Sequence, residues 1–167
     1  MRERFFNPSE IKEEIEENYE DDIVFLEGET KSGKSFDEFI IGTVWICGYG
    51  TMVAYEEMPD EEYLPENVVI VNIVEGEPEE ILLYIKEQYP DAVLVTGFDE
   101  ALLGVARKAE DVNWVAIYNA DLIIDSIIED NEISEQEAME FYKFNISGSY
   151  VGPMTPMFID VIRDDLC

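Results

Sequence analysis

The sequence predicts an α+β fold, a single domain over residues 1–167 that combines a mostly antiparallel β-sheet with three or four helices. Three observations lead there. Short runs of β-branched and aromatic residues, such as "VVIVNIV" and "NWVAIYN", have the length and composition of strands. Between them lie segments with apolar residues three and four apart, opened by Pro or Ser, as amphipathic helices are. The chain of 167 residues, 47% hydrophobic, suffices for one sizeable core, and no linker divides it.

Taken in order, "NPSEIKEEIEENYE" opens on Asn7 as a cap with Pro8 at the first helical position and Glu10 three residues after the cap, which predicts a first helix. "DDIVFLEGET" reads as a strand. "SFDEFIIGTVWICGYG" and "TMVAYEE" are rich in aromatic and β-branched residues, with Gly-Tyr-Gly suited to a turn between them. Pro59 and Pro65 bracket an acidic loop before the apolar run "VVIVNIV". "EPEEILLYIKEQYP" has Pro78 at a helix start, apolar Ile81, Leu82 and Ile85, and Pro90 beyond the end. "DAVLVTGF" and "NWVAIYN" read as strands and "ADLIIDSIIED" as a short amphipathic helix. Ser134 and Glu137 form a capping box that opens "EQEAMEFYKFN", and "MFIDVI" is the closing strand. No internal repeat is apparent.

One stretch matches the phosphate-loop pattern G-x-x-x-x-G-K-[ST], from Gly28 through Gly33 and Lys34 to Ser35. Such a loop works when a strand precedes it and a helix follows, because the helix's free amides and positive dipole end hold the phosphates. Here Ile40, Ile41, Gly42, Thr43, Val44 and Trp45 follow, a strand-like run. The expected structure is therefore a β-hairpin of "DIVFLEGET" and "SFDEFIIGTVWI" turning at Lys31 to Lys34, with nucleotide binding by Gly28, Gly33, Lys34 and Ser35 as the alternative. The acids Glu27, Glu29, Asp37 and Glu38 around the octet oppose a triphosphate.

Other catalytic signals are weaker. The chain has no histidine and only two cysteines, Cys47 and Cys167, which removes the commonest general base and the Cys/His zinc sites. Paired acids such as Asp99 with Glu100, or Asp121 with Asp125 one helical turn apart, arise by default in a chain this acidic. No catalytic residue, metal site or cofactor is predicted. No apolar run is long enough for a membrane span, and the start of the chain lacks a signal core, so a cytoplasmic protein is expected.

Charge is the strongest anomaly. Forty Asp and Glu stand against ten Lys and Arg, a formal net charge of −30. Self-repulsion of this size works against the compact state and asks for a reason. The acids are interleaved with Ile, Val, Leu, Phe and Tyr, which puts them on the outer faces of folded elements. The densest candidates are the loop acids Asp60, Glu61, Glu62 and Glu66 and the helix acids Asp121, Asp125, Glu129 and Asp130, with Asp121, Asp125 and Glu129 in one row.

"DEALLGVA" (99–106), "VAIYNADLIIDSIIED" (115–130) and "SEQEAMEFYKFNISGSYVGPMTP" (134–156) resemble an uncharacterised family of small proteins of bacteriophages and prophages, whose members carry a similar Phe-Asn, Gly-x-Tyr-Val-Gly and Thr-Pro run. The resemblance implies a viral or mobile-element origin and no particular activity. Joined to the charge, it leads to the expectation of a DNA mimic: a non-enzymatic inhibitor whose carboxylates occupy the basic cleft of a host nucleic-acid-binding or defence protein, of restriction or CRISPR type. It would bind no nucleic acid itself.

Overall fold

A computed structural model of the chain describes residues 8–18, 23, 25–46, 50–57, 68–109, 113–147 and 154–160. The expectations for Asn7, Cys47, the Gly-Tyr turn after it, the loop acids Asp60, Glu61, Glu62 and Glu66, and Cys167 lie outside the described residues.

Among the described residues six strands close on themselves as a barrel in the order β1 (Ile40–Ile46), β2 (Gly50–Glu56), β3 (Val68–Ile73), β4 (Leu102–Lys108), β5 (Val115–Asn119) and β6 (Met157–Asp160). Among the described residues four helices pack around it: α1 (Pro8–Asn18), α2 (Pro78–Gln88), α3 (Ala120–Asn131) and α4 (Glu135–Tyr142). The mixture of helices and strands is the predicted one, but the sheet is a closed mixed barrel. β1/β2, β3/β4, β4/β5 and β6/β1 are antiparallel, whereas β2/β3 and β5/β6 are parallel. Parallel neighbours need a crossover of a dozen or so residues. The chain between β5 and β6, which carries α3 and α4, is one such crossover.

Exchanging β1, β2 and β3 for β4, β5 and β6 reproduces every pairing, register included. Thr43 and Val44 of β1 face Asp160 and Ile159 of β6 as Val105 and Ala106 of β4 face Asn72 and Val71 of β3. Tyr55 sits beside Ile70 as Tyr118 sits beside Phe158. The antiparallel registers slip between Ile40 and Gly42 and again between Leu102 and Gly104. The sequence carries the same duplication once the structure aligns it: "PSEIKEEIEENYED" against "PEEILLYIKEQYPD", and "FDEFIIG" against "FDEALLG". The chain is an internal repeat, contrary to the sequence expectation. Residues 29–35 between Gly28 and Phe36 hide it, since Gly97 runs directly into Phe98, and so does the unequal length of the two crossovers.

Packing obeys the same dyad. Equivalent pairs fill the barrel interior: Ile41 with Leu103, Val44 with Ala106, Ala54 with Ile117, and Val71 with Ile159. Outside, α1 buries Ile11 and Ile15 over Ile40, Val53 and Tyr55 of the first half. α2 buries Ile81 and Ile85 in the larger cluster that α3 and α4 complete over Leu102, Tyr118 and Phe158. These are the i and i+4 positions of each helix, so one apolar stripe per helix is buried.

Three strand assignments change. "DDIVFLEGET" and "DAVLVTGF" do not join the barrel: the Leu26 amide donates to Tyr55 Oη at 2.8 Å, and the Val95 amide donates to Tyr118 Oη at 2.8 Å. Each segment is thus an extended strap pinned by a tyrosine of its own half. Conversely, "LLGVARK", which the sequence analysis assigned to no element, is β4. Its Ala, Leu, Arg and Lys favour helices locally, and ladder bonds on both edges override that preference.

Candidate functional site

The octet Gly28 to Ser35 forms a tight local turn. Glu29 and Ser35 make an isolated antiparallel bridge, the Thr30 amide donates to the Lys34 carbonyl at 2.7 Å, and the Gly33 amide donates to the Thr30 carbonyl at 3.0 Å. The Lys34 amide reaches Thr30 Oγ1 at 3.3 Å. Gly28 and Gly33 take φ of +102° and +88°, which the turn requires of a residue without Cβ. The turn lies at Lys31 to Gly33 as expected, but its flanks are not paired strands. A four-residue 3-10 turn, Phe36–Phe39, follows, capped by Ser35 Oγ, which accepts from the Asp37 amide at 3.3 Å. The octet thus directs its Thr30, Gly33 and Lys34 amides inward, and the α-helix that a phosphate loop feeds is replaced by this turn and then β1.

The acidic helix is better formed. Asn119 Oδ1 caps α3 by accepting from the Asp121 amide at 3.0 Å, and Ala120, Ile123, Ile124 and Ile127 bury its inner face. That leaves Asp125, Glu129 and Asp130 exposed and Asp121 half-buried. Asp121 lies in the first turn, where the helix dipole favours it; Glu129 and Asp130 lie in the last, where it opposes them, and no basic residue offsets them there. The helix field does not favour these last two charges, and Asp130 has only a long hydrogen bond from Ser126 Oγ at 3.5 Å.

Across from α3 stands the 3-10 turn Asp99–Ala101. Between them opens a cleft of about 670 Å³ whose described lining includes the carboxylates Asp99, Glu100, Asp125 and Glu129, with Leu122 and Phe98 as its apolar part. Asp125 and Glu129 thus share a cleft with Asp99 and Glu100, a pair that composition alone explains in a chain this acidic. The detectable signal was the duplicated Phe-Asp-Glu, present as Phe36-Asp37-Glu38 and Phe98-Asp99-Glu100. In the first half Asp37 pairs with Lys12 Nζ at 2.9 Å; at the corresponding place of α2 stands Leu82.

Each Phe-Asp-Glu lies beside a strap tyrosine. Burial pushes the Tyr55 phenol up to about 12, with the Leu26 amide pulling back and the Asp37 carboxylate adding to the rise. Burial raises Tyr118 as well, against the Val95 amide and with a contribution from Asp99. Both phenols stay protonated at neutral pH and serve as acceptors for backbone amides rather than as acids. Among the described residues no group of three or more Asp, Glu or Cys side chains is placed to hold a metal ion, and no helix is long and apolar enough to cross a membrane.

Compared with protein-family models, with curated proteins and with solved structures, the chain finds no significant match.

Proposed function

We propose that the protein is an acidic binding protein that occupies the basic, nucleic-acid-binding surface of a partner protein, its carboxylates standing where phosphates would. The observation that carries this reading is the cleft between Asp99–Ala101 and α3, which four acidic residues from two elements line and whose described lining has no basic residue. Support comes from the net charge of −30 and from Glu129 and Asp130, kept where the helix dipole opposes them. The loop acids Asp60, Glu61, Glu62 and Glu66 extend the proposed contact set. The target we propose is a host defence or DNA-handling protein, in keeping with the phage-type origin expected from the sequence. Nucleotide binding at Gly28 to Ser35 is not favoured, since the Thr30, Gly33 and Lys34 amides are engaged within its own turn.

Affinity capture from a bacterial lysate at low and high salt tests the reading. The expected partner is a DNA-binding protein whose capture weakens between about 0.05 and 0.5 M salt and that duplex DNA displaces. Glu100→Lys, Asp125→Lys and Glu129→Lys together should abolish capture and leave the fold intact, because exposed charges contribute little to stability. Capture that is indifferent to salt, or full capture by the triple variant, overturns the proposal.

A further inference from the structure

The internal duplication provides a comparison within one chain. A surface position that both halves treat alike is compatible with the fold's requirements; one that they treat differently reports something else. α1 and α2 pack the same stripe, Ile11 and Ile15 in one and Ile81 and Ile85 in the other. Their outer faces begin and end alike, with Glu10 and Glu17 on α1 and Glu80 and Glu87 on α2. Between them α1 carries Glu13 and Glu14, whereas α2 carries Leu83 and Tyr84. Leu83 is 57% exposed and Tyr84 40% exposed, with the Tyr89 ring edge-on to Tyr84 at 6.4 Å between centroids. The fold tolerates glutamate at these positions, so the apolar pair is not required for packing. Among the described residues, Trp45 is the one exposed large apolar side chain of the first half; all the others belong to the second.

We infer that the outer face of α2 is a docking surface for a basic amphipathic helix of a protein partner, with Leu83 and Tyr84 as apolar anchors and Glu80 and Glu87 meeting the partner's lysines or arginines. Charge selects the occupant. A second copy would bring another net charge of −30 to the interface, and an anionic bilayer or nucleic acid would be repelled in the same way. A basic helix with an apolar stripe gains from both features, since such helices lay their apolar face against exposed apolar side chains while their cations meet the acidic rim. Lys86, the one base of α2, lies a turn from Leu83 and shifts the cationic contacts toward Glu80 and Glu87. An aromatic and aliphatic pair within a charged rim is the arrangement in which a few central residues dominate affinity. The inference extends the acidic-binding reading by adding a component that resists salt.

The test uses the full chain and two synthetic helical peptides of equal charge, one with leucines on one face and lysines on the other, and one with alanines in place of the leucines. The key variant is Leu83→Glu with Tyr84→Glu, which gives α2 the residues that α1 carries. The wild-type protein should bind the leucine peptide at about 0.5 M salt, where surface charges are screened, and the variant should bind it at least tenfold more weakly. The alanine peptide should bind both proteins equally at low salt and neither at high salt. Equal loss of both peptides, or no loss of the leucine peptide, overturns the inference. Failure of the alanine peptide to bind the wild type at low salt instead counts against the acidic-binding reading. Sedimentation of both proteins adds a third outcome: a dimer that the double substitution disperses would assign the face to a second copy and overturn the inference as stated.

Discussion

Tyr55→Phe tests whether the strap before the first barrel half is held by one side-chain hydrogen bond. The phenol is fully buried, and its oxygen accepts the Leu26 amide at 2.8 Å while Leu26 itself is buried in the same cluster. Phenylalanine keeps the ring and removes the acceptor, leaving a buried amide unsatisfied at a cost of about 1–3 kcal/mol. For a chain of 167 residues a central value of about 2 kcal/mol corresponds to a fall in Tm of roughly 4–8 °C. Tyr118→Phe should cost less, about 0.5–1.5 kcal/mol, because the Val95 bond is only part-buried. The pH dependence supplies a second readout. Because the native phenol is raised to about 12 from its ordinary 10.0, the stability it contributes is intact below pH 10 and is lost as pH rises through 12. That loss, on the order of 2 kcal/mol, should be absent from the difference between pH 10 and 12 measured for Tyr55→Phe by denaturant unfolding. A variant as stable as the wild type at pH 7, with the same alkaline profile, would refute the role given to this hydrogen bond.

Three further outcomes are expected. Gly104→Ala should destabilise by about 3–5 kcal/mol, since a Cβ there would lie 2.1 Å from the Asn72 carbonyl oxygen in the neighbouring strand. Gly97→Ala, at φ +93° with nothing within 4 Å of the new atom, should cost only about 1–2 kcal/mol; equal costs in thermal unfolding would count against the close approach of β3 and β4. Deleting residues 29–35, so that Gly28 meets Phe36 as Gly97 meets Phe98, should leave a cooperative fold with Tm within about 4 °C of the parent, whereas loss of cooperative unfolding would mean that the turn is integral to the first half. Millimolar ATP with magnesium should leave Tm unchanged. Saturable binding at a hundredfold excess would add about 2.7 kcal/mol, and such a gain, if abolished by Lys34→Ala, would restore the phosphate-loop reading.

Local signals made much of the fold legible. Pro8 and Pro78 mark two helix starts, Ser134 caps a third helix, and "VVIVNIV" and "NWVAIYN" are strands by composition alone. What was not legible is set by contacts distant in sequence. The Leu26 and Val95 segments have strand composition, yet their amides are taken by tyrosines 29 and 23 residues away. Barrel closure depends on β6 returning to β1, which no local pattern announces. The row Asp121, Asp125 and Glu129 follows from the helical period, but its facing wall, Asp99 and Glu100, depends on the packing of a 3-10 turn against α3.

The duplication also separates the acids that the fold can use from those it cannot. Glu10 and Glu80 recur in the first turns of α1 and α2, where the helix dipole stabilises negative charge, so their recurrence is explained by folding alone. Glu17 and Glu87 recur in the last turns of the same helices, where that field is unfavourable by a few tenths of a kcal/mol or more each. Glu38 and Glu100 recur as exposed residues after Asp37 and Asp99. Two halves that have otherwise exchanged Phe39 for Ala101, Trp45 for Arg107 and Lys12 for Leu82 have kept these acids through changes of size, aromaticity and charge. A requirement for solubility alone would be met by acids at any exposed positions. Retention at matched positions ties the negative charge to a geometry that the barrel's dyad presents twice, once beside Tyr55 and once beside Tyr118. A partner of the kind proposed would therefore meet two related acidic surfaces, and the second carries the apolar pair that the first lacks.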